Sequence, residues 1–121
     1  MYRLTSQTTL SAAHYLREYQ GTCQRIHGHN WKIEITIESD QVDKLGMVMD
    51  FKDIKELTWQ VVGRFDHQVF NDLAPFDKLN PTAENISKHF YKEIDKLLPD
   101  GIRLSCVKLW ETDKYCIEYY E

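Results

Sequence analysis

The 121-residue chain reads as an α+β protein, and three observations carry that reading. Two long stretches, residues 2–14 and 27–38, alternate side chains with the period of two that marks a half-buried strand. Two later stretches repeat apolar residues at three- and four-residue steps, as amphipathic helices do. Two further strand-like runs, residues 102–110 and 115–120, close the chain. The order ββααββ predicts a four-stranded antiparallel sheet with two helices on one face.

In the first strand the even positions, Leu4, Leu10, Ala12 and His14 among them, form a weakly apolar face that ends in histidine. The second is sharper. His27, His29, Trp31, Ile33, Ile35 and Ile37 share one face, and Asn30, Lys32, Glu34, Thr36 and Glu38 share the other. A turn over residues 41–46 leads to Asp50, a helix cap, and to the stripe Phe51, Ile54, Leu57, Val61 and Phe65, which ends near Gly63 and Arg64. Thr82 caps a second helix with the stripe Ile86, Phe90, Ile94 and Leu97, stopped by Pro99-Asp100-Gly101. A tight turn at Glu111-Thr112-Asp113-Lys114 joins the last two strands. The polar face of the second strand has no covering element, and an open sheet has two unpaired edges. Both features predict edge-to-edge assembly into an oligomeric barrel.

Residues 1–121 are expected to form one domain with a single centre. A hydrophobic share of 42% and a charged share of 28% are ordinary for a soluble protein. No apolar run approaches the roughly 20 residues that span a bilayer, and residues 1–5 carry no signal-peptide h-region, so a cytoplasmic location is expected. A net charge of −4 argues against nucleic acid or an anionic membrane as the main partner. Three widely spaced cysteines, Cys23, Cys106 and Cys116, fit neither a disulfide framework nor a cysteine-rich zinc site.

The chemistry concentrates at Cys23, His27, Gly28 and His29. An antiparallel hairpin with His14 opposite His27 brings three imidazoles together, because opposed and diagonal neighbours lie roughly 5–8 Å apart. Three histidines on apolar faces are hard to explain as packing, since each buried ring needs partners for its nitrogens. His14, His27 and His29 therefore read as an open zinc site, with a fourth position for a substrate oxygen. Cys23 is open to three readings: a fourth ligand, a buried filler, or a thiolate base favoured by a dication and Arg25. Asp66-His67 is either a proton-relay pair or a surface and capping pair. Glu111 is either a solvated carboxylate or an acceptor for two parallel N–H groups of a flat heterocycle. Cys106, Cys116 and the three tryptophans, Trp31, Trp59 and Trp110, read as packing residues, and His89 as a helix-surface residue.

Taken together, Ser11-Ala12-Ala13-His14, the spacing of Cys23 from His27-Gly28-His29, Phe65-Asp66-His67, Asn80-Pro81-Thr82-Ala83-Glu84-Asn85 and Trp110-Glu111-Thr112-Asp113 resemble the 6-pyruvoyl-tetrahydropterin synthase superfamily. Within it the short thiol spacer is most like the branch that makes 6-carboxy-5,6,7,8-tetrahydropterin for queuosine and 7-deazaguanine biosynthesis. The resemblance implies the tunnelling fold, with three subunits closing a barrel and two trimers stacking into a homohexamer. It implies zinc on His14, His27 and His29, Cys23 as catalytic thiol, and Asp66 with His67 as relay. Glu111 would anchor a pterin, and Thr82 and Glu84 would line its pocket. The implied reaction converts 7,8-dihydroneopterin triphosphate to 6-carboxytetrahydropterin, acetaldehyde and triphosphate. A 6-pyruvoyl-forming enzyme and a non-catalytic zinc-binding member of the fold are the alternatives.

Overall fold

The chain runs β1 (Tyr2–His14), β2 (His27–Ser39), α1 (Phe51–Val62), β3 (Gln68–Val69), α2 (Ala83–Asp95), β4 (Arg103–Trp110) and β5 (Cys116–Tyr119), with 3-10 turns at Gly63–Phe65 and Phe70–Asp72. This computed structural model describes residues 1–18 and 25–121. Cys23 lies outside the described residues. The strands form one sheet in the order β3-β1-β2-β4-β5. β1 and β2 pair along their whole length with His14 opposite His27 and Ala12 opposite His29. A one-residue slip would turn the isoleucines of β2 away from the core, so burial holds this register.

The expected four-stranded antiparallel sheet gains a fifth strand. β3 is two residues long and runs parallel to β1 beside Ala12 and Ala13. Two residues show no alternation, so the sequence pattern carries no signal for it. β4 is bulged against β2: Thr36 faces Cys106 and Ile37 faces Leu104, which leaves Ser105 as the extra residue. The buried Tyr91 hydroxyl of α2 donates to the Leu104 carbonyl there, at 3.1 Å.

Both predicted caps are made. Asp50 accepts from the Lys52 amide at 2.9 Å and Thr82 from the Asn85 amide at 3.1 Å. Both helices place residues in one core with β1, β2 and β4: Ile54, Val61, Ile86, Phe90 and Ile94 meet Leu10, Ile33, Ile35, Leu104 and Val107. The ends of the expected stripes fall outside it. Phe51 and Leu97 are exposed, because α1 starts at Phe51 and α2 stops at Asp95. Trp59 is also exposed, lying over Gly63, whereas Trp31 is fully buried and Trp110 half-buried. His89 is half-buried rather than on the surface, edge-on to Phe76 at 5.3 Å. Cys116 is exposed rather than packed.

The polar face of the sheet is self-paired. Thr5 meets Thr36 at 3.0 Å, Gln7 donates to Glu34 at 2.8 Å, and Ser11 donates to Asn30 at 2.9 Å. Glu38 is buried there between Arg3 and Arg103, whose Nε atoms lie 2.9 and 2.8 Å from its carboxylate. This guanidinium pair holds the Glu38 carboxyl below its ordinary value.

Candidate metal centre and its surroundings

The three histidines converge where β1 leaves the sheet and β2 enters it. One ligand-capable nitrogen from each of His14, His27 and His29 lies within 4.8 Å of the others. The ring centroids are 4.6 Å apart for His14 and His27, 4.8 Å for His27 and His29, and 5.3 Å for His14 and His29. Their tautomers follow from the backbone. His14 Nδ1 is 2.8 Å from the Pro81 carbonyl and His27 Nδ1 is 2.7 Å from the Arg25 carbonyl, and a carbonyl accepts only from N–H. The proton therefore sits on Nδ1 and leaves a lone pair on Nε2.

Two buried Nε2 atoms are what the pocket leaves unsatisfied. His14 is 2% exposed, and the Nε2 atoms of His14 and His29 are buried with no hydrogen-bond partner among the described residues. A buried imidazole nitrogen without a partner is costly, and two such atoms aimed at one point fit a cation. Burial lowers the His14 and His29 pKa below the ordinary 6.5, against the pull of Glu111 on both and of the Pro81 carbonyl on His14. Neutral rings are what a metal needs. The described residues thus fit a metal site built on three imidazole nitrogens.

Trp31 forms the floor. Its ring lies edge-on to His14 at 5.0 Å and to His29 at 5.1 Å, and its Nε1–H donates to the Ala12 carbonyl at 3.1 Å. Trp31 in turn meets Phe70 at 5.7 Å, which links the site to the Phe65, Phe70, Phe76 and Phe90 cluster.

Glu111 comes to this site from the end of β4, with Oε1 3.6 Å from His29 Nε2. Glu84 and Glu111 line one small cleft with Leu109, Tyr115 and Ile117. The Thr82 hydroxyl accepts from the Asn85 amide as the α2 cap, and the carbonyl of its neighbour Pro81 holds His14. Asp66 and His67 lie on the other side of β1. The Asp66 carboxylate accepts from the Ser11 amide at 3.1 Å, and the His67 amide donates to the Ser11 carbonyl at 2.6 Å. His67 adopts φ 57°, uncommon for a residue with a side chain, and its ring is 80% exposed, 3.7 Å from Asp66. An open cavity of about 490 Å³ has both His29 and His67 in its wall.

Two contributors were not legible as site residues: Trp31, which reads as packing, and the Pro81 carbonyl, which as a backbone group has no sequence signature.

The 6-carboxy-5,6,7,8-tetrahydropterin synthase of Rickettsia conorii is 34% identical over 137 aligned residues, covering 98% of this chain and 99% of the relative. The dihydroneopterin monophosphate aldolase of Pyrococcus furiosus is 31% identical over 116 residues, covering 96% and 95%. The structure of the Caenorhabditis elegans 6-pyruvoyl tetrahydropterin synthase superposes with a TM-score of 0.88 over 99% of this chain and 95% of that one, at 24% identity, which attests the shared tunnelling fold. Residues 3–121 match the family described as 6-pyruvoyl tetrahydropterin synthase, and with a match of that extent the chain belongs to that family.

Proposed function

We propose that the chain is a zinc-dependent carbon–carbon lyase that converts 7,8-dihydroneopterin triphosphate and one water to 6-carboxy-5,6,7,8-tetrahydropterin, acetaldehyde and triphosphate. One observation carries the reading: three imidazoles converge, two of them with unsatisfied buried nitrogens, and one of those, His29 Nε2, lies 3.6 Å from the Glu111 carboxylate, a group suited to a pterin edge. His14, His27 and His29 would hold the metal. Bound there, zinc would make the substrate's side-chain hydroxyls more acidic. Glu111 accepts the paired N–H donors of the aminopyrimidine edge and so fixes orientation. Glu84 lines the same cleft, and Thr82 holds the helix start beside it. Cys23 acts as the thiolate that takes a proton from the carbon chain, and His67, oriented by Asp66, gives or accepts the other proton.

The same reading assigns the chain one domain, a place in queuosine biosynthesis and a cytoplasmic location. Among the described residues no helix is long and apolar enough to cross a membrane, which is compatible with that location. A homohexamer, built as a dimer of trimers, is the proposed assembly. Its support is the outer edge of β5 and the stretch of β1 before Ala12, which no strand among the described residues covers. The open His67 side chain would be enclosed by a neighbouring subunit. Light scattering is expected to report a hexamer or at least a trimer, and a stable, active monomer contradicts the barrel.

A second reading, aldol cleavage of dihydroneopterin monophosphate, rests on the likeness to the Pyrococcus furiosus aldolase. Product analysis by mass spectrometry after incubation with the triphosphate and, separately, the monophosphate decides. Acetaldehyde and the 6-carboxy product from the triphosphate support the proposal. A 6-pyruvoyl product, or turnover of the monophosphate alone, overturns it in favour of a sibling enzyme, and no turnover of either favours a non-catalytic zinc-binding protein.

A further inference from the structure

β1 does not stop being held where the sheet stops. Along its outer edge, alternate residues offer their backbone N–H and C=O to the segment 66–81, which runs alongside. Ser11 is met by Asp66 and the His67 amide, and Ala12 and Ala13 by β3. Beyond His14 the partners become side chains. The Asn71 amide accepts from the Tyr15 N–H at 3.1 Å and donates to the Tyr15 carbonyl at 3.0 Å. Asn80 does the same to Arg17, at 2.9 and 3.3 Å. A carboxamide carries one donor side and one acceptor, so each asparagine replaces one residue of a neighbouring strand. The Arg17 guanidinium returns the contact, donating to the carbonyls of Phe76 at 2.8 Å, Leu79 at 3.3 Å and Asn71 at 3.5 Å.

This clamp brackets His14. Tyr15 follows it directly, and Pro81, whose carbonyl holds its Nδ1–H, follows Asn80. Asn71 is itself buried, and the Asn80 carbonyl is taken by Thr82 and Asn85 at the start of α2, so both clamps are anchored in the body of the protein. We propose that Asn71 and Asn80 are positioning residues for the metal centre, which extend β1 past the sheet so that His14 is presented at the spacing set by His27 and His29. The inference rests on the three histidines being a metal site and is independent of which pterin is turned over.

Groups that orient a ligand typically change metal affinity by ~10- to 100-fold when removed. The test measures zinc affinity by chelator competition on the full chain, at a temperature where every variant is folded by circular dichroism. Asn71→Ala and Asn80→Ala are compared with Tyr91→Phe, which removes a buried hydrogen bond at the β4 bulge and serves as the stability control. Asn71→Asp, which keeps the acceptor for Tyr15 N–H, stands in should Asn71→Ala not fold. The expected result is a zinc dissociation constant raised ~10- to 100-fold by the Asn71 variant, raised less by Asn80→Ala and unchanged in Tyr91→Phe. Wild-type affinity in both asparagine variants, or an equal loss in Tyr91→Phe, overturns the inference. A wild-type protein that holds no zinc overturns the metal reading itself, and the inference falls with it.

Discussion

Replacing Trp31 by Phe tests whether the core and the metal centre are one packed unit. Trp31 is fully buried and touches both His14 and His29, so the change acts on stability and on the site together. Two losses add. The Nε1–H bond to the Ala12 carbonyl is removed, a net cost of about 1 kcal/mol. The smaller ring leaves a void beside the imidazoles and Phe70, at a cost of roughly 1–2 kcal/mol. Together these come to about 2–3 kcal/mol, less than the ~5–15 kcal/mol that holds a typical domain, so the variant folds with a lower urea midpoint. Its zinc affinity is expected to fall as the two rings lose their common floor. Urea unfolding of the metal-free protein and chelator competition on the same preparation measure both effects, with Trp59→Phe, at an exposed ring, as the comparison. A wild-type midpoint with wild-type zinc affinity would refute the coupling.

Cys23→Ala is expected to keep its zinc and bind pterin while turnover falls ~10²- to 10⁴-fold, the usual cost of removing a general base. Zinc content and activity on one preparation check this, and parallel loss of both would make Cys23 a ligand. Glu38 carries a pH prediction. Because Arg3 and Arg103 lower its carboxyl below the ordinary 4.5, its contribution is fully present above that pH and is lost as pH falls through the folded-state value. Glu38→Gln should lower the urea midpoint above pH 4.5 and flatten its decline below; an unchanged acid profile would dismiss the ion pair as a stabiliser.

The hairpin was legible because its signal is redundant. Every second residue of β2 from Trp31 to Ile37 is apolar, and the same alternation that buries them sets the three imidazoles on one face. Caps were legible for a similar reason: Asp50 and Thr82 are residue types whose side chains satisfy free helix N–H groups. What escaped is tertiary. β3 owes its existence to β1, not to its own two residues, and Asn71 and Asn80 become strand mimics only because segment 66–81 lies along β1. His89 reads as a surface residue until Phe65 and Phe76 close over it. Helix stripes likewise do not say where a helix ends, which is why Phe51 and Leu97 were expected in the core and lie outside it. For the site, the three histidines meet as the hairpin spacing suggested and Glu111 reaches His29, while Asp66 and His67 stand across β1, where His67 shares a cavity wall with His29.

The central claim is an open zinc centre made of three imidazoles, with Cys23 free to do chemistry. Zinc-edge X-ray absorption on the purified protein tests it directly. The account predicts three nitrogen scatterers at roughly 2.0–2.1 Å, a light fourth atom and no sulfur. A sulfur shell at roughly 2.3 Å, or fewer than three imidazoles, would contradict it.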